Sequence, residues 1–324
     1  MAKNVELYQL TPNQNVLMNS YVIRTKNDKI IVIDGGYYGK EYCYYIHSAI
    51  RAILGLKEND YFEIDAWFIT HPHEDHFGEM ALQFERYCKE SNYKVKNIYF
   101  DFVDFKKKHY NDWSEDCDKW IDSFKTALDN YAKVNGIKTD CYYDDLNGAV
   151  INEKAVKDGL TITVDGVDFE ILRTRDDRDI IVNGSSVVMK MKVYDDDGAI
   201  LQTVMFLGDF DKHSGNIMLN EVDKKILKAD IVQMAHHGNW AVDKEFYDAI
   251  GAKVHLWPTP LWVWNKGNAS FDIDKVREWV GAKITADKFN IASCLYPEYP
   301  ENRESIEDWK KVLKYMKLDL PYNP

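Results

Sequence analysis

The chain contains few cysteines, and no two of them are spaced as a metal-binding or redox pair. Five cysteines occur among 324 residues, and none forms a Cys-x-x-Cys motif. Because the number is odd and the positions are scattered, we expect reduced thiols rather than a disulfide framework, as in a cytoplasmic protein. The sequence also lacks an apolar stretch long enough to cross a membrane, and its first residues lack the apolar core of a signal peptide. We therefore expect a cytoplasmic protein without a membrane partner.

Positive charge is also scarce in this sequence. Lysine and arginine total 41 against 53 aspartates and glutamates, which gives a formal net charge of -12. This excess of negative charge disfavours sequence-independent binding to long duplex nucleic acid, although a local basic groove is compatible with it. We expect no stable duplex binding, and the composition leaves the oligomeric state open.

Internal repeats and low-complexity linkers are absent, and the hydrophobic pattern indicates mixed strands and helices. The predicted strands cover residues 5–10, 21–24, 29–33, 64–69, 95–100, 160–164, 167–172, 186–193, 201–207, 231–234 and 254–257. The predicted helices cover residues 41–56, 78–88, 113–134, 273–280 and 306–316. This order predicts an α/β chain built around two sheets. We expect a single domain over residues 1–324, with a helical insertion near 105–158 and a C-terminal helical extension near 290–324.

One short segment after a predicted strand combines three imidazoles with a carboxylate. The order is His71-x-His73-x-Asp75-His76, and a glycine follows at Gly78. His71 and His73 can reach one ion, while Asp75 and His76 can turn toward a neighbouring ion. Neutral imidazole suits zinc, iron or manganese, and an oxygen ligand widens the choice toward harder cations. Open α/β sheets place ligand sites at strand ends, so the segment predicts a metal site.

Two later strands run into further candidate ligands. One is followed by Gly208-Asp209 and the other by His236-His237-Gly238. The adjacent glycines allow sharp backbone turns near an ion. Asp209 is suited to bridge two cations, because each of its oxygens can serve one ion. Of the two adjacent histidines, we favour His237 as the metal ligand. We expect His236 to contact the substrate or one of the metal-binding residues.

These motifs, together with Ile33-Asp34-Gly35-Gly36, resemble the metallo-β-lactamase superfamily. The segment Asn183-Gly184-Ser185-Ser186-Val187-Val188 makes the resemblance closer to the soluble β-lactamase-like domain of the DNA-uptake protein ComEC. The resemblance covers roughly residues 5 to 290. It implies a four-layered αββα sandwich with metals at the rim of the two sheets. The ligands that it implies are His71, His73, Asp75, His76, Asp209 and His237. One or two divalent transition-metal ions follow, zinc first and manganese or iron as alternatives.

The sequence departs from the family pattern in two places. Many members have another metal-binding histidine between the first motif and the Gly-Asp motif, but only His109 lies between His76 and Asp209 here. His109 follows three lysines, which predicts a solvated loop, so the first cation site is expected to be open or weakly occupied. The Gly-His-Pro sequence of ComEC-like domains is absent near the end, which leaves the substrate less defined than the chemistry.

The resemblance implies a hydrolase that uses a metal-bound hydroxide. A phosphodiesterase acting on nucleotides or short nucleic acid is the favoured interpretation, so the expected partner is a small-molecule or nucleotide substrate. Asp75 is expected to orient the nucleophile, and His236 is one candidate for the general acid. Hydrolysis of a lactone, thioester or β-lactam remains an alternative, as does a non-catalytic, metal-binding regulatory protein. A diiron oxidoreductase is disfavoured, since no flavin-domain pattern follows residue 290.

Other features have simpler interpretations. The aromatic run over residues 257–264 is expected to pack in the core rather than to stack on bases, and the lysines at 106–108 are expected in a solvated loop. Asn183 and Ser185 fit either a turn or the lining of the site. Asp34 is expected to be structural, beside the metal-binding loop.

Overall fold

The structure is a computed structural model in which two β-sheets carry helices on their outer faces. It describes residues 4–10, 16–37, 46–87, 92–102, 110–112, 115–135, 156–265, 272–283, 288–295 and 304–324. The strands are β1 (Val5–Gln9), β2 (Tyr21–Arg24), β3 (Ile30–Ile33), β4 (Phe62–Ile64), β5 (Ala66–Phe68), β6 (Tyr93–Val95), β7 (Ile98–Tyr99), β8 (Thr161–Val164), β9 (Val167–Arg173), β10 (Val188–Tyr194), β11 (Ile200–Phe206), β12 (Ile231–Gln233), β13 (Val254–Trp257), β14 (Asn290–Ala292) and β15 (Lys317–Leu320). The helices are α1 (Ile46–Leu54), α2 (Glu74–Tyr87), α3 (Glu115–Asn135), α4 (Lys212–Glu221), α5 (Lys224–Leu227), α6 (Lys244–Ile250), α7 (Leu261–Trp264), α8 (Ile273–Val280) and α9 (Ile306–Met316).

The two large sheets pack face to face. One has six strands in the order β15-β1-β2-β3-β5-β7, and the other has seven in the order β14-β13-β12-β11-β10-β9-β8. Their facing sides share one apolar cluster, to which Ala66 and Phe68 of the first sheet and Val204 and Phe206 of the second contribute. Alternate residues of a strand point to opposite faces of its sheet. The neighbours of these four residues along each strand therefore point outward and must be buried against other elements.

Helices cover the outward side chains of both sheets. Trp67 of β5 packs into a cluster with residues of α1, α2, α3 and α9, such as Phe124 and Trp309. Met205 of β11 packs into another cluster with residues of α4, α6, α7 and α8, such as Phe246. The layers therefore follow the order helix, sheet, sheet, helix. This mixed α/β architecture confirms the predicted four-layered fold and is consistent with the metallo-β-lactamase fold.

Parallel pairing brings the candidate ligand segments to one rim of the two sheets. β3 and β7 pair with β5 in parallel, and β12 pairs in parallel with β11 and β13. The segments that follow β5, β11 and β12 therefore leave the sheets at the same edge. The backbone N–H of Val187 donates to the carbonyl of Thr70 at 2.8 Å, which joins the two sheets at this rim.

The prediction of one continuous strand over residues 64–69 is wrong. The segment is divided at Asp65 into β4, which pairs with β6 in a separate two-stranded sheet, and β5, which belongs to the six-stranded sheet. The strand predicted over residues 95–100 is divided in the same way into β6 and β7. At the break, the Asp65 carboxylate accepts from Lys96 Nζ at 2.7 Å and from the N–H of Ile30 at 3.2 Å. A hydrophobic pattern does not show that one polar residue interrupts the pairing.

Two helical predictions also need correction at their limits. The helix predicted from residue 78 begins at Glu74, because the carboxylates of Glu74 and Asp75 fit the positive end of a helix. Asp75 and His76 consequently lie in the first turn of α2. In the predicted C-terminal helical extension, α9 is present, but residues 317–320 form β15, which pairs with β1. No helix in the described part of the chain is long and apolar enough to cross a membrane.

Candidate metal centre

The six predicted ligands come together at the shared rim as two overlapping groups. Asp75, His76, Asp209 and His237 form one group, and His71, His73 and Asp209 form the other. The donor atoms within each group all lie within 4.8 Å of one another. Because Asp209 belongs to both groups, the geometry suits two neighbouring cations that share one carboxylate.

The group of His71, His73 and Asp209 could hold the first of two cations. His71 Nε2 lies 3.1 Å from His73 Nδ1 and 3.7 Å from Asp209 Oδ2. The ring of Trp120, from α3, meets the His73 ring edge-on at a centroid distance of 5.7 Å. α3 therefore supplies a wall of the site.

The group of Asp75, His76, Asp209 and His237 could hold the second cation. His76 Nε2 lies 3.1 Å from Asp209 Oδ1, and His237 Nε2 lies 3.0 Å from Asp75 Oδ2. His237 Nε2 is also 3.8 Å from Asp209 Oδ2. His76, Asp209 and His237 are at most 2% exposed, so water does not replace these contacts.

The donor set passes a direct test of its fitness for a cation. His76 Nε2 and Asp209 Oδ1 are buried and lie 3.1 Å apart, and neither has a hydrogen-bond partner of good geometry among the described residues. Buried polar atoms are normally paired, so two converging atoms without partners require an explanation. A divalent cation accepts lone pairs from both atoms. Imidazole nitrogens with carboxylate oxygens suit zinc, manganese or iron.

Asp34 fixes the orientation of two of these imidazoles. Its Oδ2 accepts from His76 Nδ1 at 2.8 Å, and its Oδ1 accepts from the N–H of Thr70 at 2.8 Å. The Thr70 hydroxyl lies 3.0 Å from Asp34 Oδ1 and 3.2 Å from His71 Nδ1. A carboxylate only accepts, so Thr70 donates to Asp34 and accepts from His71. Both imidazoles then present Nε2 to the cations, in agreement with the structural role expected for Asp34.

His237 is oriented by a different set of contacts. Its Nδ1 donates to the carbonyl of Pro258 at 3.0 Å, and the backbone carbonyl of His237 accepts from the Thr259 hydroxyl. His236 and His237 both have left-handed backbones, with φ of 51° and 59°. Gly238 has a φ of 78°, and a Cβ there would overlap the ring of Trp257. The strained turn is held by these contacts and directs His237 Nε2 toward Asp75 and Asp209.

The electrostatics of the site favour neutral imidazoles at the first cation and charged carboxylates. Burial lowers the pKa of both His71 and His73, so neither is protonated near neutral pH. Burial acts to raise the pKa of Asp209, but the neighbouring imidazoles, His76 first, outweigh it and hold the pKa well below its usual value. For His76, burial is outweighed by Asp209, Asp34 and Asp75, which raise its pKa. The same negative charge attracts a cation.

We expect Asp34→Asn to weaken binding of the second cation by about 10- to 100-fold. Asparagine has nearly the same size and tolerates the left-handed backbone of Asp34 (φ 57°), but it loses the negative charge that holds His76 Nδ1. Metal titration of the variant measures the effect. Asp165→Asn is the matched control, because Asp165 is also left-handed (φ 49°) and lies in the turn between β8 and β9. If both variants bound the second cation with wild-type affinity, Asp34 would have no role in orienting a metal ligand.

The remaining sequence predictions fall in different places. Trp257 and Trp264 are at most 1% exposed and pack together, which confirms that this aromatic run belongs to the core. His236 lies beside the centre, with Nε2 3.8 Å from Asp209 Oδ2 and a side chain that is 26% exposed. His109 and the three lysines before it lie outside the described residues.

Sequence reasoning missed two residues of the site. Thr70 was visible only as the neighbour of His71, and its role depends on the distance to Asp34. Trp120 carries no sequence signal at all, since its contact with His73 arises only when α3 packs against the rim. Ser185 donates to the carbonyl of Val182 at 2.6 Å within a short turn, whereas Asn183 Oδ1 has no partner.

Comparison with known proteins supports the superfamily. Residues 16–112 match the family model of the metallo-β-lactamase superfamily. No curated protein gave a match. The fold is similar to the diiron β-hydroxylase CmlA from Streptomyces venezuelae, at 13% identity and a TM-score of 0.41 over 87% of this chain and 49% of that one. It is also similar to the metallo-β-lactamase fold protein YhfI from Bacillus subtilis, at 14% identity and a TM-score of 0.40 over 78% and 85%.

This chain thus spans about half the length of the hydroxylase. At these identities the likeness carries no information about activity. The superfamily is supported by the family-model match over residues 16–112, and the closer resemblance to the ComEC domain stays a prediction.

Proposed function

We propose that the protein is a metal-dependent hydrolase whose favoured substrates are phosphodiesters of nucleotides or short nucleic acid. The observation that carries the proposal is the position of Asp209 in both ligand groups. His71, His73 and Asp209 would hold one cation, and Asp75, His76, Asp209 and His237 the other. Two bound cations lower the pKa of a water between them and stabilise negative charge on the reacting group. We also propose that residues 1–324 act as one domain, because β15 completes the sheet that begins with β1.

Asp75 is suited to orient the attacking water. Its carboxylate contacts His237 through Oδ2 and remains 15% exposed, so it is accessible from the open side of the centre. Its pKa is lowered, because His76 and His237 outweigh the opposing effect of burial. Asp75 is therefore a carboxylate at neutral pH and can accept a hydrogen bond from the water.

His236 is suited to contact the leaving group. It is the more exposed member of the histidine pair, at 26% against 0% for His237. Its ring centroid lies 6.0 Å from that of the His237 ring, and its Nε2 lies 3.8 Å from Asp209 Oδ2. An imidazole N–H at this position can donate to the oxygen that departs. We therefore assign His236 to the leaving group and His237 to the second cation.

The pairing of the two ligand groups supports a phosphodiester over a carbonyl substrate. A phosphodiester has two non-bridging oxygens, and two adjacent cations match the displacement of one ester oxygen by another. Acidic residues lie near the first cation, however. Asp112 acts electrostatically on His73, and Glu74 lies beside Trp120. This charge disfavours polyanionic substrates, so we propose a short diester with little additional negative charge.

The substrate class is tested by supplying metal-loaded protein with three activated substrates. These are bis-(p-nitrophenyl) phosphate, p-nitrophenyl acetate and nitrocefin, each compared with its own uncatalysed rate. We expect the greatest acceleration with the phosphodiester, because only that substrate places two oxygens at two cations.

The other outcomes identify the rivals. Turnover of nitrocefin or a lactone with no diester cleavage would replace the favoured class by carbonyl hydrolysis. Bound metal without turnover of any ester would indicate a non-catalytic binding protein. Oxygen consumption with a reductant, in the absence of hydrolysis, would indicate a diiron oxidoreductase.

A further inference from the structure

We propose that the side-chain oxygen of Asn183 is a fourth protein ligand of the first cation, beside His71, His73 and Asp209. This inference rests on the proposed metal centre. Asn183 is only 8% exposed, and its Oδ1 has no hydrogen-bond partner. A buried amide oxygen is normally paired, and among the described residues this one has no partner.

The turn that carries Asn183 is attached to the Asp209 side of the centre. Ser186 donates its N–H to the carbonyl of Asn183 at 3.1 Å, and Ser186 Oγ accepts from the N–H of Asp209 at 3.2 Å. The next residue, Val187, donates to the carbonyl of Thr70 at 2.8 Å. Asn183 is therefore tied through short contacts to Asp209 and to the residue that precedes His71.

The same turn is attached to the His73 side of the centre. Val182 belongs to a small apolar cluster against which Trp120 packs, and Trp120 contacts the His73 ring. The N–H of Val182 donates to both carboxylate oxygens of Asp112, at 2.9 and 3.1 Å. The turn of Asn183 is thus fixed to both the Asp209 side and the His73 side of the first ligand group, and it carries a buried side-chain oxygen that no described residue pairs.

The chemistry of the two groups explains why an amide oxygen fits there. The second cation has four protein donors, two of them carboxylates, whereas the first has three donors and shares its only carboxylate. An amide oxygen adds a neutral, hard donor, which suits manganese or iron better than a softer ligand set does. The first cation should therefore bind more weakly than the second, because less negative charge surrounds it.

The test is a titration of the metal-free full-length protein with Mn²⁺, followed by calorimetry and electron paramagnetic resonance. Wild-type protein should bind two ions in two steps and give the spin-coupled signal of a close pair. Asn183→Ala should bind the second-site ion normally, weaken the first-site ion by about tenfold or more and lose the pair signal when two ions per chain are supplied. Asn183→Asp should tighten the first-site ion, since it keeps the oxygen and adds charge.

Two control variants separate this role from others. Ser185→Ala removes a hydroxyl from the same turn and should bind both ions as the wild type does. Asp112→Asn keeps an oxygen that can accept from Val182, so it should also retain both ions. Thermal unfolding of each metal-free variant checks that the turn is intact.

Several outcomes would overturn the inference. If Asn183→Ala bound both Mn²⁺ ions with wild-type affinity, Asn183 would not be a metal ligand. Wild-type metal affinity together with a raised KM in that variant would make Asn183 a substrate contact. Loss of the first ion in Asp112→Asn but not in Asn183→Ala would assign the ligand to Asp112. Failure of wild-type protein to bind any Mn²⁺ or Zn²⁺ would instead contradict the proposed metal centre itself.

Discussion

Asp209→Asn is expected to lower the hydrolysis of bis-(p-nitrophenyl) phosphate by on the order of a hundredfold or more. Asp209 Oδ1 lies 3.1 Å from His76 Nε2, and its Oδ2 lies 3.7 Å from His71 Nε2, so the carboxylate is positioned between both cations. Asparagine removes the negative charge and replaces one oxygen by an amide that donates. Cation binding is then weaker, so less positive charge acts on the attacking water and its pKa rises.

The variant is informative because the change is nearly isosteric. Kinetic constants, metal content and thermal unfolding should be measured together, and we expect the fold to be kept. Asp211→Asn is the matched control: it lies two residues away, and its Oδ1 caps α4 by accepting from the N–H of Ser214 at 2.9 Å. Asparagine is also a good N-cap, so this control should keep activity. Undiminished hydrolysis in Asp209→Asn would remove Asp209 from the site.

The second large effect separates the two adjacent histidines. We expect His237→Ala to weaken binding of the second cation by about a hundredfold or more, because it removes a donor nitrogen that Pro258 orients. His236→Ala should keep most of the metal and lower turnover instead, since His236 is assigned to the leaving group. The two changes are well matched, as both residues have left-handed backbones on which alanine is equally strained.

Metal analysis and steady-state kinetics of the two variants decide between the roles. A double variant is unnecessary, because each single change removes one imidazole and leaves the other. If His236→Ala lost the metal and His237→Ala retained it, the two assignments would have to be exchanged.

Local sequence patterns predicted most of the elements that build the rim. The bounds of β13, α8 and α9 agree with the sequence prediction, because each has a clear hydrophobic period. The division at Asp65 was missed, since a single polar residue between apolar ones does not reveal a change of sheet. β15 was missed because its pairing partner, β1, lies at the other end of the chain. Such long-range pairing leaves no local signal.

The ligand positions were predictable for a simple reason. Each segment that carries candidate ligands follows a strand, and strand ends in parallel order meet at one edge. The residues that orient these ligands were harder to find, because their roles depend on distances across the fold. Thr70 links His71 to Asp34, and Trp120 reaches His73 only through the packing of α3. The unpartnered oxygen of Asn183 is likewise a property of the folded chain.

The metal content of the freshly purified protein tests the central claim most directly. The account predicts about one to two transition-metal ions per chain, removable by a chelator and restored by added zinc or manganese. The second site should fill first, because it has two carboxylates. Elemental analysis that finds no bound metal, together with no uptake when zinc or manganese is added, would contradict the account.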